Sequence, residues 1–248
     1  MHSNYEQKKG YKRKINVSNR CMYEYFIKKC AKKHYFYKDS YIFVFMCFFV
    51  HQSLNAIKIK NQFRKEVRIE NNLPKGIING FSFPKIAVIV NNEPNIVQFF
   101  NWGLIPSWSQ TTEIRKFTLN AKVETLDSKP SFKLYKDQRC IIILEAFYEW
   151  KWLDAKGKVK EKYEIQNENM DLMAICGLWN VWKNPINQEE IKTFTMITTE
   201  ANELMSQIHN TKKRMPMILN NYEEEEWLKY GIVNPKRNVD LVATKLLT

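Results

Sequence analysis

Four short segments hold the residue types most able to do chemistry: MCFF (46–49), NAKVET (120–125), EAFYEW (145–150) and IHNTKKRMPMIL (208–219). They offer a thiol at Cys47, an amide at Asn120, a carboxylate at Glu149 and an imidazole at His209. Together these are a nucleophile, proton carriers and a hydrogen-bonding group. Each also has an ordinary reading. A cysteine after an apolar run is usually a small buried hydrophobe, an asparagine before a turn is usually a cap, and a histidine ending a helix can simply meet the dipole. Glu149 is harder to dismiss. It sits among Phe147, Tyr148 and Trp150, where a buried carboxylate needs a partner. Residue types alone leave the catalytic and the structural readings both open.

With WGLIPSW (102–108), RCIII (139–143) and TTEAN (198–202), the four segments resemble the signature of the SOS response-associated peptidase (SRAP) family from Met46 to about Gly231. Members of that family crosslink to abasic sites in DNA. The resemblance implies an initiator Met46 that is removed, and an active site of Cys47, Asn120, Glu149 and His209. It also implies DNA contacts from Lys122, Lys129 and Arg214 to phosphates, with help from Thr198, and Trp108 stacking on or wedging against a base. In this reading Cys47 is the nucleophile and Glu149 moves protons during imine formation. His209 donates to the sugar oxygen, and Asn120 orients the sugar or the cysteine backbone. The sequence departs from the family pattern at several points. Lys122 stands where arginine is usual, which replaces a forked donor by a point charge. Asn210–Lys213 intervene between His209 and Arg214. The family's MCGR start is MCFF here, and 45 residues precede Met46.

The aminothiol explains why the first residue matters. An internal cysteine offers an aldehyde only a thiol, and the hemithioacetal reverses easily. A terminal cysteine adds an amine two carbons from the sulfur. The amine condenses with the aldehyde and the sulfur closes a five-membered thiazolidine. An α-amino group titrates near about 8, against about 10.4 for lysine, so more of it is nucleophilic at neutral pH.

The leader therefore decides the chemistry. Residues 1–45 hold 11 Lys/Arg against 3 Asp/Glu, while the remainder holds 28 against 23. The expected organisation is a basic extension over 1–45, absent or removed in the working protein, and a SRAP domain over 46–248. A start misassigned upstream is preferred. Self-cleavage after Met46 and a retained leader are the alternatives. The net charge of +13 favours a polyanionic partner. Five cysteines without CxxC spacing argue against a disulfide framework or a zinc knuckle, and few histidines argue against a metal site. No cofactor is expected. No apolar run reaches the roughly 18 residues of a membrane span. A cytoplasmic monomer is expected, nucleoid-associated when on DNA. Its partner is single-stranded DNA carrying abasic sites, and its setting is the DNA damage (SOS) response, with autopeptidase and lyase-like activity. The competing functions are a cysteine peptidase using Cys47 and His209, and a non-catalytic reader of single-stranded or modified DNA.

The elements that must hold these groups follow from the apolar pattern. Residues 53–68 suit a basic amphipathic helix capped by Ser53. Strands are expected at 86–90, 96–105, 139–153, 159–165, 172–179 and 193–199, with turns at 91–94 and 155–158. Short helices are expected at 200–209 and at 222–231, the second ending on Gly231. Many strands in hairpin order predict an α+β fold, with a mostly antiparallel, curled or barrel-like sheet and flanking helices.

Overall fold

The structure is a computed structural model that describes residues 48–53, 55–68, 73–235 and 239–247. The chain divides between Val44 and Phe45, and every described residue lies in the second unit. The strands are β1 (Phe49–Gln52), β2 (Glu66–Val67), β3 (Gly76–Asn79), β4 (Lys85–Val90), β5 (Glu93–Trp102), β6 (Asn120–Lys122) and β7 (Arg139–Leu144). They continue with β8 (Ala146–Trp152), β9 (Lys160–Asn167), β10 (Met173–Lys183), β11 (Glu190–Glu200), β12 (Arg214–Pro216), β13 (Ile218–Leu219) and β14 (Leu241–Leu246). The helices are α1 (Ala56–Phe63), α2 (Glu203–Ile208) and α3 (Glu223–Tyr230). The class is α+β.

Five strands close on themselves. The order β11-β10-β7-β4-β5 is antiparallel throughout, and β5 returns to β11 in a short parallel pairing, Thr193 to Asn101 and Phe194 to Trp102. A second, antiparallel sheet runs β14-β9-β8-β1-β3. The expected barrel-like sheet is thus present, with a separate five-stranded sheet beside it.

Alternation along the strands sorts the core into two layers. Ile86, Val88 and Val90 of β4 join Cys140, Ile142 and Leu144 of β7 in one cluster, which also takes Val50, Phe147 and Ile165 from the five-stranded sheet. Ala87, Ile89, Ile141 and Ile143 face the other way, where Ile59 and Phe63 of α1 and Trp227 and Leu228 of α3 cover them. Burial on both faces is why RCIIIL reads as one apolar run rather than as an alternation.

Three expectations are corrected. The segment 139–153 is two strands: the backbone bends at Glu145, whose N–H donates to His51 O at 3.0 Å, and β7 and β8 enter different sheets. The first helix is shorter than expected. Asn55, not Ser53, caps it, accepting from the N–H groups of Ile57 and Lys58 at 3.1 Å. Ser53 is spent on the Glu145 carboxylate. Arg64 ends the helix in the left-handed region, and Val67 then pairs with β5 as part of β2. The strand expected at 96–105 is displaced to Glu93–Trp102. Gly103 leaves it at φ +102, a conformation that L side chains rarely adopt.

Candidate functional site

Glu149 lies on β8, whose neighbours are β9 and β1. It is flanked by aromatic residues and is only 2% exposed, as its sequence context requires of a carboxylate with a partner. Across from it, Asn202 caps α2 by accepting from Met205 N–H at 2.9 Å. Seven residues later the helix stops at His209, also 2% exposed. His209 Nδ1 stands 3.9 Å from Glu149 Oε1 and 2.9 Å from Arg214 O. A carbonyl oxygen can only accept, so Nδ1 carries a proton and donates it. That fixes the tautomer: in the neutral ring Nε2 is the basic nitrogen. The separation from Glu149 is Coulombic contact rather than a hydrogen bond.

Arg214 links this pair to a second group. It opens β12, which pairs with β11 through Thr198–Pro216, Thr199–Met215 and Glu200–Arg214. Its guanidinium is buried and grips Glu124 with two bonds of 2.7 and 3.0 Å. It also donates to Thr198 O at 2.7 Å. Burial pushes the Glu124 carboxyl up, but the Arg214 hydrogen bonds, a backbone N–H and the charges of Arg214 and Lys122 outweigh that and hold it below the usual carboxylate range. On the other side of β11, β6 runs parallel to it, with Asn120 beside Met196 and Lys122 beside Thr198. Thr198 is fully buried, and its hydroxyl donates to Ala121 O at 3.4 Å.

The structure therefore brings together Glu149, His209, Arg214 and Thr198, and sets Asn120 and Lys122 on the adjoining strand. Lys122 is exposed. Lys129 is exposed too, in the turns between β6 and β7, and Trp108 is 38% exposed in the loop after β5. Cys47 lies outside the described residues. The described chain begins one residue later, at Phe48, whose carbonyl accepts from Gly80 N–H at 2.7 Å. Phe49 then pairs with Tyr148, the neighbour of Glu149.

Two participants escaped the sequence reading. Glu124 stands within NAKVET, but only the pairing of β6 and β12 with β11 shows that it serves Arg214. Asn210 was noticed only as part of an insertion, yet its side chain bonds both backbone groups of Trp152. Among the described cysteines, Cys140 and Cys176 are buried, and burial pushes the Cys140 thiol far up, which suits packing rather than nucleophilic attack. Among the described residues no helix is long and apolar enough to cross a membrane.

Residues 46–246 match the family model described as SOS response associated peptidase (SRAP). The chain is 41% identical over 152 residues to the abasic site processing protein YoqW of Bacillus subtilis (strain 168), covering 61% of this chain and 63% of that one. It is 30% identical over 176 residues to the abasic site processing protein HMCES of Gallus gallus, covering 61% of this chain and 51% of that one. The chain thus spans between half and two thirds of the length of these relatives. A crystal structure of a protein from Bacteroides thetaiotaomicron superposes with a TM-score of 0.71 at 32% identity, covering 81% of this chain and 92% of that one. A family match over four fifths of the sequence, on a fold that gathers the expected acid–base residues, has one reading: this chain belongs to the SRAP family.

Proposed function

We propose that this protein senses abasic sites in single-stranded DNA and traps them covalently through Cys47 as its first residue. The observation that carries this reading is the buried Glu149–His209 pair, with Glu149 on the strand that pairs with β1, which begins two residues downstream of Cys47. The relatives named abasic site processing proteins support the substrate class. In the reaction the terminal amine adds to the C1 aldehyde of the opened sugar, and water leaves to give an imine. The thiol then adds across the imine as its proton passes to nitrogen, so one water is released per thiazolidine formed. Glu149 accepts and returns protons at nitrogen. His209 Nε2 first takes up a proton and then delivers it to the sugar oxygen when the ring opens. Asn120 orients the sugar or the cysteine backbone. Lys122 and Lys129 meet phosphates, and Trp108 offers an aromatic face. Thr198 and Arg214 sit deeper: the guanidinium is engaged by Glu124, so a phosphate there has to share or displace that partner.

The domain reading goes with this. Residues 1–45 are absent or removed in the working protein, which acts in the cytoplasm as a monomer during the DNA damage response. Lyase-like and autopeptidase activities belong to the same site. The family description favours a second reading, a cysteine peptidase using Cys47 with His209; cleavage after Met46 would itself expose the reactive amine. Incubation with abasic and with intact oligonucleotides, followed by a denaturing gel, separates the possibilities. A shifted band with abasic DNA alone, lost in Cys47→Ser, supports trapping. Equal non-covalent binding to both strands without a shifted band contradicts it.

A further inference from the structure

The loop that leaves β5 is tied down on both sides of Trp108. It starts at Gly103, whose N–H donates to Phe194 O at 2.9 Å, and has no strand or helix of its own before Thr112. Buried backbone groups in such a loop need side-chain partners. Ile105, fully buried, has one at each end. Its N–H donates to Thr193 Oγ1 at 3.1 Å, and its carbonyl accepts from Asn180 Nδ2 at 2.6 Å. Asn180 and Thr193 face each other across β10 and β11, and the Thr193 hydroxyl donates on to Asn180 O at 3.2 Å.

Two aromatic side chains then bracket Trp108. Ahead of it, Ser107 N–H donates to the Tyr135 hydroxyl at 2.6 Å, and Ser107 Oγ shares a hydrogen bond with the same hydroxyl at 2.7 Å. Behind it, Ser109 O accepts from Trp182 Nε1 at 2.9 Å. A turn bond from Ser109 N–H to Pro106 O, at 2.9 Å, closes the tip between them. Tyr135 comes from the turn before β7 and Trp182 from the end of β10, and both are buried. What they present is an indole 38% exposed. Core stability alone does not call for this, because an apolar ring left partly in water returns only part of its burial energy.

We propose that Tyr135 and Trp182 are positioning residues that hold Trp108 in one orientation before DNA arrives. The inference rests on the function proposed above, in which Trp108 offers its face to DNA. A base stacks on a ring only when the two planes match. A loop fixed beforehand keeps the ring in that plane, so binding does not have to order it. Tyr135 and Trp182 act through the loop and not on the DNA.

Nitrogen relaxation of the indole N–H groups reads the holding without DNA. Tyr135→Phe keeps the buried ring and removes the hydroxyl. The order parameter of the Trp108 indole then falls from about 0.85 to below about 0.6. Trp182→Phe, which cuts the other anchor, does the same, so either variant suffices if the other fails to fold. An unchanged value in one variant removes that anchor, and in both overturns the proposal. Binding of a single-stranded oligonucleotide carrying a tetrahydrofuran abasic analogue, which has no aldehyde, reads the consequence apart from adduct formation. Trp108→Ala weakens binding about tenfold, as loss of one aromatic–base stack does, and Tyr135→Phe about fivefold. The Trp108→Ala/Tyr135→Phe double variant binds no more weakly than Trp108→Ala. A merely structural tyrosine would add its own loss, so additive losses overturn the positioning role. If Trp108→Ala binds as the unsubstituted protein does, the DNA role of Trp108 in the proposed function fails, while relaxation still decides whether the anchors hold the loop.

Discussion

Glu149 Oε1 and His209 Nδ1 stand 3.9 Å apart with side chains only 3% and 2% exposed. The two groups are withdrawn together from water, and the imidazole Nδ1–H donates to the Arg214 carbonyl, which leaves Nε2 as the basic nitrogen of the neutral ring.

Substituting either member should slow trapping without abolishing DNA binding. Glu149→Gln and His209→Ala each lower the single-turnover rate of adduct formation by about 10²- to 10⁴-fold. Adduct rates at saturating abasic oligonucleotide check this. Normal rates in both variants would remove the pair from the mechanism.

Arg214 and Glu124 make a forked ion pair that is buried on the arginine side only. Arg214→Ala should therefore lower unfolding free energy by about 2 kcal/mol, less than for a fully buried pair because Glu124 is partly solvated. Arg214→Lys loses the fork and falls between. Urea unfolding of these variants, of Glu124→Gln and of the Arg214→Ala/Glu124→Gln double variant gives the coupling.

The same pair sets an acid limit. The folded Glu124 carboxyl lies below its ordinary 4.5, so its contribution is complete above that pH. It disappears as the pH falls through the folded value. The stability difference between the unsubstituted protein and Glu124→Gln should be constant from pH 5 to 7 and shrink below about 4.5.

Glu224 behaves oppositely. Burial raises it to about 7, with the Lys65 charge opposing and Glu225 adding. Its folded state binds the proton more tightly than the unfolded chain, so stability declines as pH rises from the unfolded value to the folded one. Glu224→Gln should match the unsubstituted protein near pH 4. It should exceed it by up to about 1 kcal/mol at pH 8, after allowance for screening. Thermal melts across that range test the sign.

Gly177 sits where β7, β10 and β11 pack. A Cβ there would meet Cys140 Sγ and Thr195 O at 2.8 Å. Gly177→Ala should destabilise the barrel by about 1–3 kcal/mol, measured by chemical denaturation. An alanine variant of unchanged stability would mean that the strands can separate freely.

Local sequence reached the strand segments and the burial of Glu149, because apolar alternation and an aromatic-flanked carboxylate leave traces within a few positions. Barrel closure left no such trace: it rests on two residue pairs, Thr193–Asn101 and Phe194–Trp102, about ninety positions apart. The split at Glu145 was hidden because both strands are apolar, and only the His51 carbonyl reveals where the chain changes sheet. The Ser53 cap failed for a related reason. Serine and Asn55 are both good caps, and the distant Glu145 decides between them. Arg214 was read as a phosphate contact from its family position, whereas its Glu124 partner appears only through tertiary pairing.

In the proposed reaction the amine and the thiol of a single terminal residue capture the aldehyde together. Intact-mass measurement of the adduct, followed by sequencing of its protein part, tests it most directly. The predicted product is a protein chain whose first residue is Cys47, joined to the oligonucleotide with loss of one water. An adduct formed at full rate by chains that still carry residues ahead of Cys47 would contradict the account.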